Sequence, residues 1–309
     1  MAVTLSVVVI NYNATQLTLD CIQSMLEHTA PDLSWELLLV DNASEPDAYA
    51  MLQTWVAQQA LPHIKLIRHP INVGFGSGNM VGALQAQGEY IAFVNSDTLF
   101  KNDCFSILIA YLQQNPQAGI VGGQSYRQDG RPMLAFDHFA TWQRQLLGRD
   151  VLERLNPQKY PNRKQLFAQP TQVNYVQGSF MLMRKADFAA VGGFDPYIFL
   201  YYEESDLSYR VWKMGKKNVL VPQAHYIHIH GGSTPKSIAI KMELKLSLLY
   251  TIHKHQGYWA YQLVLQFLRV RYSISALFKP KYRALSALLW RGAPLSASLR
   301  QQQHIRYGD

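Results

Sequence analysis

The feature that most constrains this chain is a strand–helix–strand rhythm over its first hundred residues, in which each apolar run stops on a polar residue. Residues 7–10 form a β-branched run ending in Asn11-Tyr12-Asn13, and a helix-period stretch through Leu17, Cys21 and Met25 follows. Residues 37–40 end in Asp41-Asn42, and a second helix is predicted after Ser44, with Pro46 in its first turn. Residues 63–68 read as a third strand, and residues 89–94 as a fourth that ends in Asn95-Ser96-Asp97. Short β-branched runs separated by helices of about 12 residues predict an α/β fold with a mostly parallel, Rossmann-like central sheet covered on both faces. Such sheets gather ligands at the carboxyl ends of their strands, so Asn11, Asp41 and Asp97 should converge on one crevice.

Beyond that point the pattern loosens. Residues 126–172 lose periodicity and read as a long insertion, a candidate mobile loop on an acceptor side. Residues 173–183 read as one strand, followed by the turn Gly192-Gly193-Phe194-Asp195-Pro196, a helix starting near Glu203 and a short strand at 219–221. From about residue 235 the chain reads as amphipathic helices without spanning length. The 309 residues thus divide into a core domain at 1–235 and a helical tail at 236–309. The net charge of +8 is unevenly placed. The tail holds 12 Lys and Arg against 2 Asp and Glu, a net +10, which leaves −2 on residues 1–235. A slightly acidic site half argues against nucleic acid, and a basic tail with apolar neighbours argues for an anionic membrane surface. Cys21 and Cys104 sit in apolar helical patterns, which predicts neither a disulfide framework nor a cysteine zinc site and fits a reducing cytosol. No secretion signal is expected at the N-terminus.

The polar strand ends carry the chemistry, each with a plainer reading beside it. In Asp41-Asn42-Ala43-Ser44 an acid suits the N–H of a pyrimidine base or a ribose hydroxyl; alternatively the motif caps a helix, with Ser44 as the cap and Asp41 left free. Asn95-Ser96-Asp97-Thr98 is an Asx turn or a seat for a hard divalent cation that also takes diphosphate oxygens. Asn72-Val73-Gly74-Phe75-Gly76-Ser77-Gly78-Asn79 either starts a helix or brings backbone close to a donor; it follows the wrong strand for a dinucleotide fingerprint, and no P-loop is present. Glu203, Glu204 and Asp206 open a helix, where the macrodipole favours acids and where a general base is also well placed. His228 and His230 at i, i+2 are structural or complete the coordination of a metal held by Asp97.

In this order the segments resemble the family 2 glycosyltransferases of the GT-A fold, in particular the bacterial rhamnosyltransferase-like branch, over about residues 4–235. The motifs that carry the resemblance are those just quoted, with Gly178-Ser179-Phe180-Met181, Gly192-Gly193-Phe194-Asp195 and Arg210. The resemblance implies that Asp41 binds the base and that Asp97 is the metal-binding end of an Asp-x-Asp motif whose first acid is Asn95. It implies that Asn11, Asn13, Asn42, Asn72, Gly74, Asn79, Asn95 and Ser96 line the nucleotide and donor. Glu204 matches the second acid of a Glu-Asp pair that acts as catalytic base, flanked by Glu203 and Asp206, and is one methylene longer. His228, six residues after Pro222, matches the metal-binding histidine ahead of His230. The implied reaction is an inverting displacement aided by Mg²⁺ or Mn²⁺, from a dTDP- or UDP-sugar to a polyprenyl-diphosphate-linked glycan. The place is the cytoplasmic, inner face of the membrane, where the enzyme sits peripherally. dTDP-rhamnose leads among donors, with UDP-hexoses and UDP-galactofuranose open. A sugar-nucleotide pyrophosphorylase is disfavoured because Asn11-Tyr12-Asn13-Ala14-Thr15-Gln16 lacks Gly and Lys; a non-catalytic binding module is the other alternative.

Overall fold

The computed structural model describes residues 3–229 and 237–306. Its first half is the predicted alternation: β1 (Leu5–Asn11), α1 (Thr15–His28), β2 (Trp35–Asn42), α2 (Pro46–Gln59), β3 (Ile64–His69), α3 (Phe75–Ala83) and β4 (Tyr90–Asn95). Next come β5 (Thr98–Phe100), α4 (Cys104–Gln114), β6 (Ala118–Tyr126), β7 (Phe136–Asp137), α5 (Trp142–Leu147) and α6 (Arg149–Leu155). The remainder is β8 (Thr171–Val173), β9 (Tyr175–Val176), β10 (Phe180–Arg184), α7 (Lys185–Ala190), α8 (Glu203–Lys213), β11 (Lys217–His228), α9 (Ile238–Phe278) and α10 (Arg283–Trp290).

The central sheet runs β3-β2-β1-β4-β10-β6-β11-β5, with β8 added on β11. Strands β3, β2, β1 and β4 are parallel neighbours, β6 and β11 are parallel to each other, and β10 lies antiparallel between the two groups. Alternation along β1 explains the two faces. Leu5, Val7 and Val9 enter one core with Phe105 and Leu108 of α4, and Val8 enters the other with Phe93, Phe188, Phe194 and Leu207. Register aligns the strand ends, pairing Asn11 with Asp41 and Ile10 with Asn95. The polar ends of β1, β2 and β4 are therefore side by side in the sheet, as the sequence predicts.

Three expectations are corrected. Residues 126–172 are not a featureless loop, because β7, α5 and α6 fold within them around Asp137, which accepts from Arg144 Nη2 at 2.6 Å and from Arg149 Nη2 at 2.7 Å. These elements are two to seven residues long, too short to leave a periodic signal. The single strand expected at 173–183 is three, since the chain passes from β8 in the main sheet to β9 in a two-stranded sheet with β7 and back to β10. The strand at 219–221 extends over 12 residues, with a register irregularity between Leu220 and His225 around Pro222, which has no N–H to donate.

α9 breaks at Gly257, whose φ of 81° and ψ of −178° are open to glycine alone. Leu246, Leu249 and Ile252 before the break and Leu265 and Leu268 after it share a third core with Leu285 and Leu289 of α10 and Ala140 of the insertion. No helix among the described residues is long and apolar enough to cross a membrane.

Candidate active site

The ends of β1 and β2 form one hydrogen-bonded unit. Asn11 Nδ2 donates to Asp41 Oδ1 and to Ser44 Oγ, both at 3.0 Å, and the Ser44 N–H donates to Asp41 Oδ2 at 3.1 Å. Asn13 closes the unit, its N–H donating to Ser44 Oγ and its Oδ1 accepting from the Glu45 N–H. Asn13 and Ala43 both take left-handed backbone conformations. Ser44 is thus not the cap of α2, and Asp41 is not free: the hydroxyl faces β1 instead of the helix start. A carboxylate has about four lone-pair sites, so Asp41 keeps capacity for a ligand donor while its orientation is set.

Asn42 and Asn72 shape the neighbouring turn. Asn42 Nδ2 donates to Asn72 Oδ1 at 3.0 Å and to the Gly74 carbonyl at 3.2 Å, and Asn42 Oδ1 accepts from the Val73 N–H. Gly74 has a φ of +85°, and a Cβ there would stand 2.1 Å from the Phe199 carbonyl oxygen, so only glycine fits. Asn79 is buried in α3 and donates back to the Phe75 carbonyl, which makes it a helix-internal contact.

At the end of β4, Ser96 and Asp97 are buried, and Asn95 Oδ1 and Asp97 Oδ1 accept no hydrogen bond from the described residues. His228, at the end of β11, places Nε2 3.2 Å from Asp97 Oδ1, because β11 pairs with β5 so that His228 lies opposite Thr98. Among the described residues no three His, Cys, Asp or Glu side chains converge as a metal cage. A buried carboxylate oxygen without a donor, beside an imidazole nitrogen, suits a cation that takes its remaining ligands from phosphate and water. His230 lies outside the described residues.

The acids of α8 separate. Asp206 turns toward α9 and accepts from Arg210 Nη2 at 2.6 Å, Lys254 Nζ at 2.6 Å and His255 Nε2 at 2.7 Å. Burial alone would push its carboxyl up; the His255 hydrogen bond and the Arg210 and Lys254 charges outweigh this and hold it at about 2. The three acids therefore do not share one face, and the structure places Asp206 as the anchor of α8. Glu203 is buried, its Oε1 has no partner, and burial followed by the Glu204 charge raises its carboxyl well above the usual range. Glu204 is partly buried, and burial, reinforced by the Asp137 charge, brings it up to about 6. A Cβ on Gly178 would lie 3.4 Å from Glu204 Cβ, so this glycine leaves room for the acid. The next residue, Ser179, accepts at its carbonyl from the Asn95 N–H at 2.9 Å and the Thr98 hydroxyl at 3.1 Å. One dipeptide thus touches both Glu204 and the strand end that carries Asp97.

Sequence reasoning missed Arg144, Asp137 and the α9 residues Lys254 and His255. Arg144 is buried and ties to Asp137, and its charge lowers the proton affinity of Glu204. No periodic or motif signal marks these positions; Arg144 and Asp137 pair within very short elements, and Lys254 and His255 meet Asp206 nearly 50 residues away.

Residues 6–192, more than half of the chain, match the model of the family described as Glycosyl transferase family 2. The chain belongs to that family. This transferase is 25% identical over 257 residues to an N-acetylglucosaminyl-diphospho-decaprenol L-rhamnosyltransferase of Mycobacterium tuberculosis, covering 72% of this chain and 76% of that protein. It is 28% identical over 256 residues to the rhamnosyltransferase WbbL of Escherichia coli, covering 76% and 89%. Among solved structures, the transferase superposes on GalNAc-T7 with UDP, GalNAc and Mn²⁺ at a TM-score of 0.59 and 16% identity, over 80% of this chain and 48% of that one. It superposes on the mannosyltransferase PcManGT of Pyrobaculum calidifontis with GDP-Man and Mn²⁺ at 0.58 and 17% identity, over 96% and 86%. At such identities the structural likeness establishes the shared GT-A fold.

Proposed function

We propose that this transferase moves a sugar, with L-rhamnose from dTDP-rhamnose as the leading donor, onto a hydroxyl of a polyprenyl-diphosphate-linked glycan, with inversion at the anomeric carbon. The observation that carries the reading is Gly178-Ser179, whose glycine lies against Glu204 while the serine carbonyl accepts from the Asn95 N–H at the end of β4, which supports Glu204 as a proton acceptor near a departing diphosphate. The rhamnosyltransferase relatives support the sugar.

Asp41 accepts from the base, with its carboxylate held in place by Asn11 and Ser44. Asn42 and Asn72 hold the Gly74 turn against the donor. Glu204 takes the proton of the acceptor hydroxyl as its oxygen attacks the anomeric carbon from the face opposite the nucleotide. The bond from that carbon to the diphosphate breaks, and the nucleoside diphosphate leaves. Asp97 and His228 would hold a divalent cation, Mg²⁺ or Mn²⁺, which when bound supplies charge neutralisation for the leaving group. The basic helices after residue 236 hold the enzyme peripherally on anionic lipid at the inner, cytoplasmic face.

The test is incubation of the purified protein with dTDP-, UDP- and GDP-sugars, with and without Mn²⁺, and a lipid-linked acceptor, following nucleoside diphosphate and glycolipid product. Transfer from one donor with inverted configuration supports the reading. A folded protein that neither binds nor turns over any sugar nucleotide overturns it.

A further inference from the structure

Away from the strand ends, the first turn and the C-terminal end of α9, with the turn into α10, enclose a cleft of about 300 Å³ lined by Lys241, Arg271, Tyr272, Phe278, Lys279 and Tyr282. Three of these are cations. Among the described residues no carboxylate lies within ion-pair distance of Lys241, Lys245, Arg271 or Lys279, although Lys254 on the same helix pairs with two. Lys241 is fixed in place, donating to Tyr282 Oη at 3.1 Å with its ammonium 4.4 Å from the centre of that ring. Lys245, one helical turn on, lies 5.9 Å from the Tyr272 ring. Burial, and then the charges of Arg271, Lys241, Arg144 and Arg149, push its ammonium down to about 8, which records how closely these like charges crowd. Arg144 extends the cluster toward Glu204; its side chain is 3% exposed and is tied to Asp137, with Tyr175 beside it.

Packed cations without counter-ions repel one another unless a polyanion joins them. The same cleft has an apolar side. Ile274 and Phe278 line it, and Val270, Ile274, Leu277 and Phe278 are exposed at helical spacing along one stripe of α9. A ligand matched to both sides has a phosphate-rich head on an apolar chain.

We propose that this cleft binds the diphosphate of the lipid-linked acceptor, with Lys241, Arg271 and Lys279 on the phosphates, Lys245 adding positive charge behind them, and the α9 stripe along the lipid chain. The assignment rests on the acceptor class proposed above and adds its binding site. Arg144 is charge-coupled both to Lys245 and to Glu204, which links the cleft's cations electrostatically to the candidate base.

The experiment uses the full chain and farnesyl diphosphate in detergent as the probe, followed by calorimetry. Farnesol, inorganic pyrophosphate and phosphatidylcholine vesicles with and without phosphatidylglycerol are the comparisons. The expected result is tighter binding of farnesyl diphosphate than of farnesol or pyrophosphate, and a loss of at least about tenfold in Lys241→Gln/Arg271→Gln. The exposed Lys279→Glu should weaken it in the same direction, which keeps the test valid if the double variant does not fold. Sugar-nucleotide affinity should be unchanged in both variants. Equal binding by wild type and variants, or farnesol binding as tightly as its diphosphate, overturns the site. Phosphatidylglycerol vesicles that displace farnesyl diphosphate from the wild-type protein, where phosphatidylcholine vesicles do not, also overturn it, since the cleft then reads anionic membrane lipid in general. Retained farnesyl diphosphate binding in a protein that turns over no sugar nucleotide supports the cleft and defeats only the transfer reading.

Discussion

Asp41 and Glu204 are both acids of the candidate site, one at the end of β2 and one at the start of α8, and their surroundings differ in kind. Asp41 ends a strand of the parallel sheet, and both its oxygens accept hydrogen bonds from residues of β1 and the β2–α2 connection. Glu204 opens a helix, lies against Gly178, and is raised to about 6 by burial. The contrast separates two uses of a carboxylate. One that is already satisfied is a fixed acceptor for recognition, whereas one with a raised proton affinity exchanges its proton near neutral pH.

The sharpest test of that division is Glu204→Gln. It should lower turnover by about 10² to 10⁴-fold while sugar-nucleotide affinity, measured by calorimetry, stays within about twofold. A variant that binds donor poorly would place Glu204 on the recognition side. Asp206→Ala should destabilise the fold by about 3 kcal/mol, because Arg210, Lys254 and His255 lose a buried partner; chemical denaturation measures this. Its carboxyl is held at about 2 in the fold, so the wild-type protein keeps that contribution above about pH 4 and loses it as pH falls toward 2. The acid limb of stability should therefore be shallower in the variant.

Asp97→Ala should weaken Mn²⁺-dependent donor binding by at least about tenfold and leave metal-free binding nearly unchanged. Turnover of the wild type should rise with pH through about 6, since the base works ionised, and the midpoint should vanish from the residual activity of Glu204→Gln. The smallest effect is expected for Glu203→Gln. Burial and the Glu204 charge raise the Glu203 carboxyl well above the usual range, so the amide should change stability by less than about 1 kcal/mol at pH 5 and gain on the wild type as pH rises.

The same comparison marks what the sequence made legible. The Asp41 side is built from consecutive strand ends, and short continuous apolar runs, buried on both faces of the sheet, reveal both the strands and the polar residues that stop them. The Glu204 side depends on contacts of long range. Asp206 meets a histidine 49 residues away, Gly178 lies in a turn between two sheets, and Arg144 sits in an insertion of very short elements. Hydrophobic periodicity reports burial along one element and carries no information about which distant element faces it. The Glu-Glu-Ser-Asp run accordingly read as one stack of acids, although the helix turns its fourth residue to a different neighbour. For Ser44 the cap motif was real in composition and was overridden by the adjacent strand.

The break in α9 sets where this protein could be recombined with its relatives. Lys254 and His255 stand before Gly257 and belong, through Asp206, to the helix that carries Glu204. A chimera cut near residue 236 would therefore discard the counter-ions of α8 along with the tail. Cutting at Gly257, where the helix axis already changes course, would exchange Arg271 and the apolar stripe while leaving the catalytic half intact.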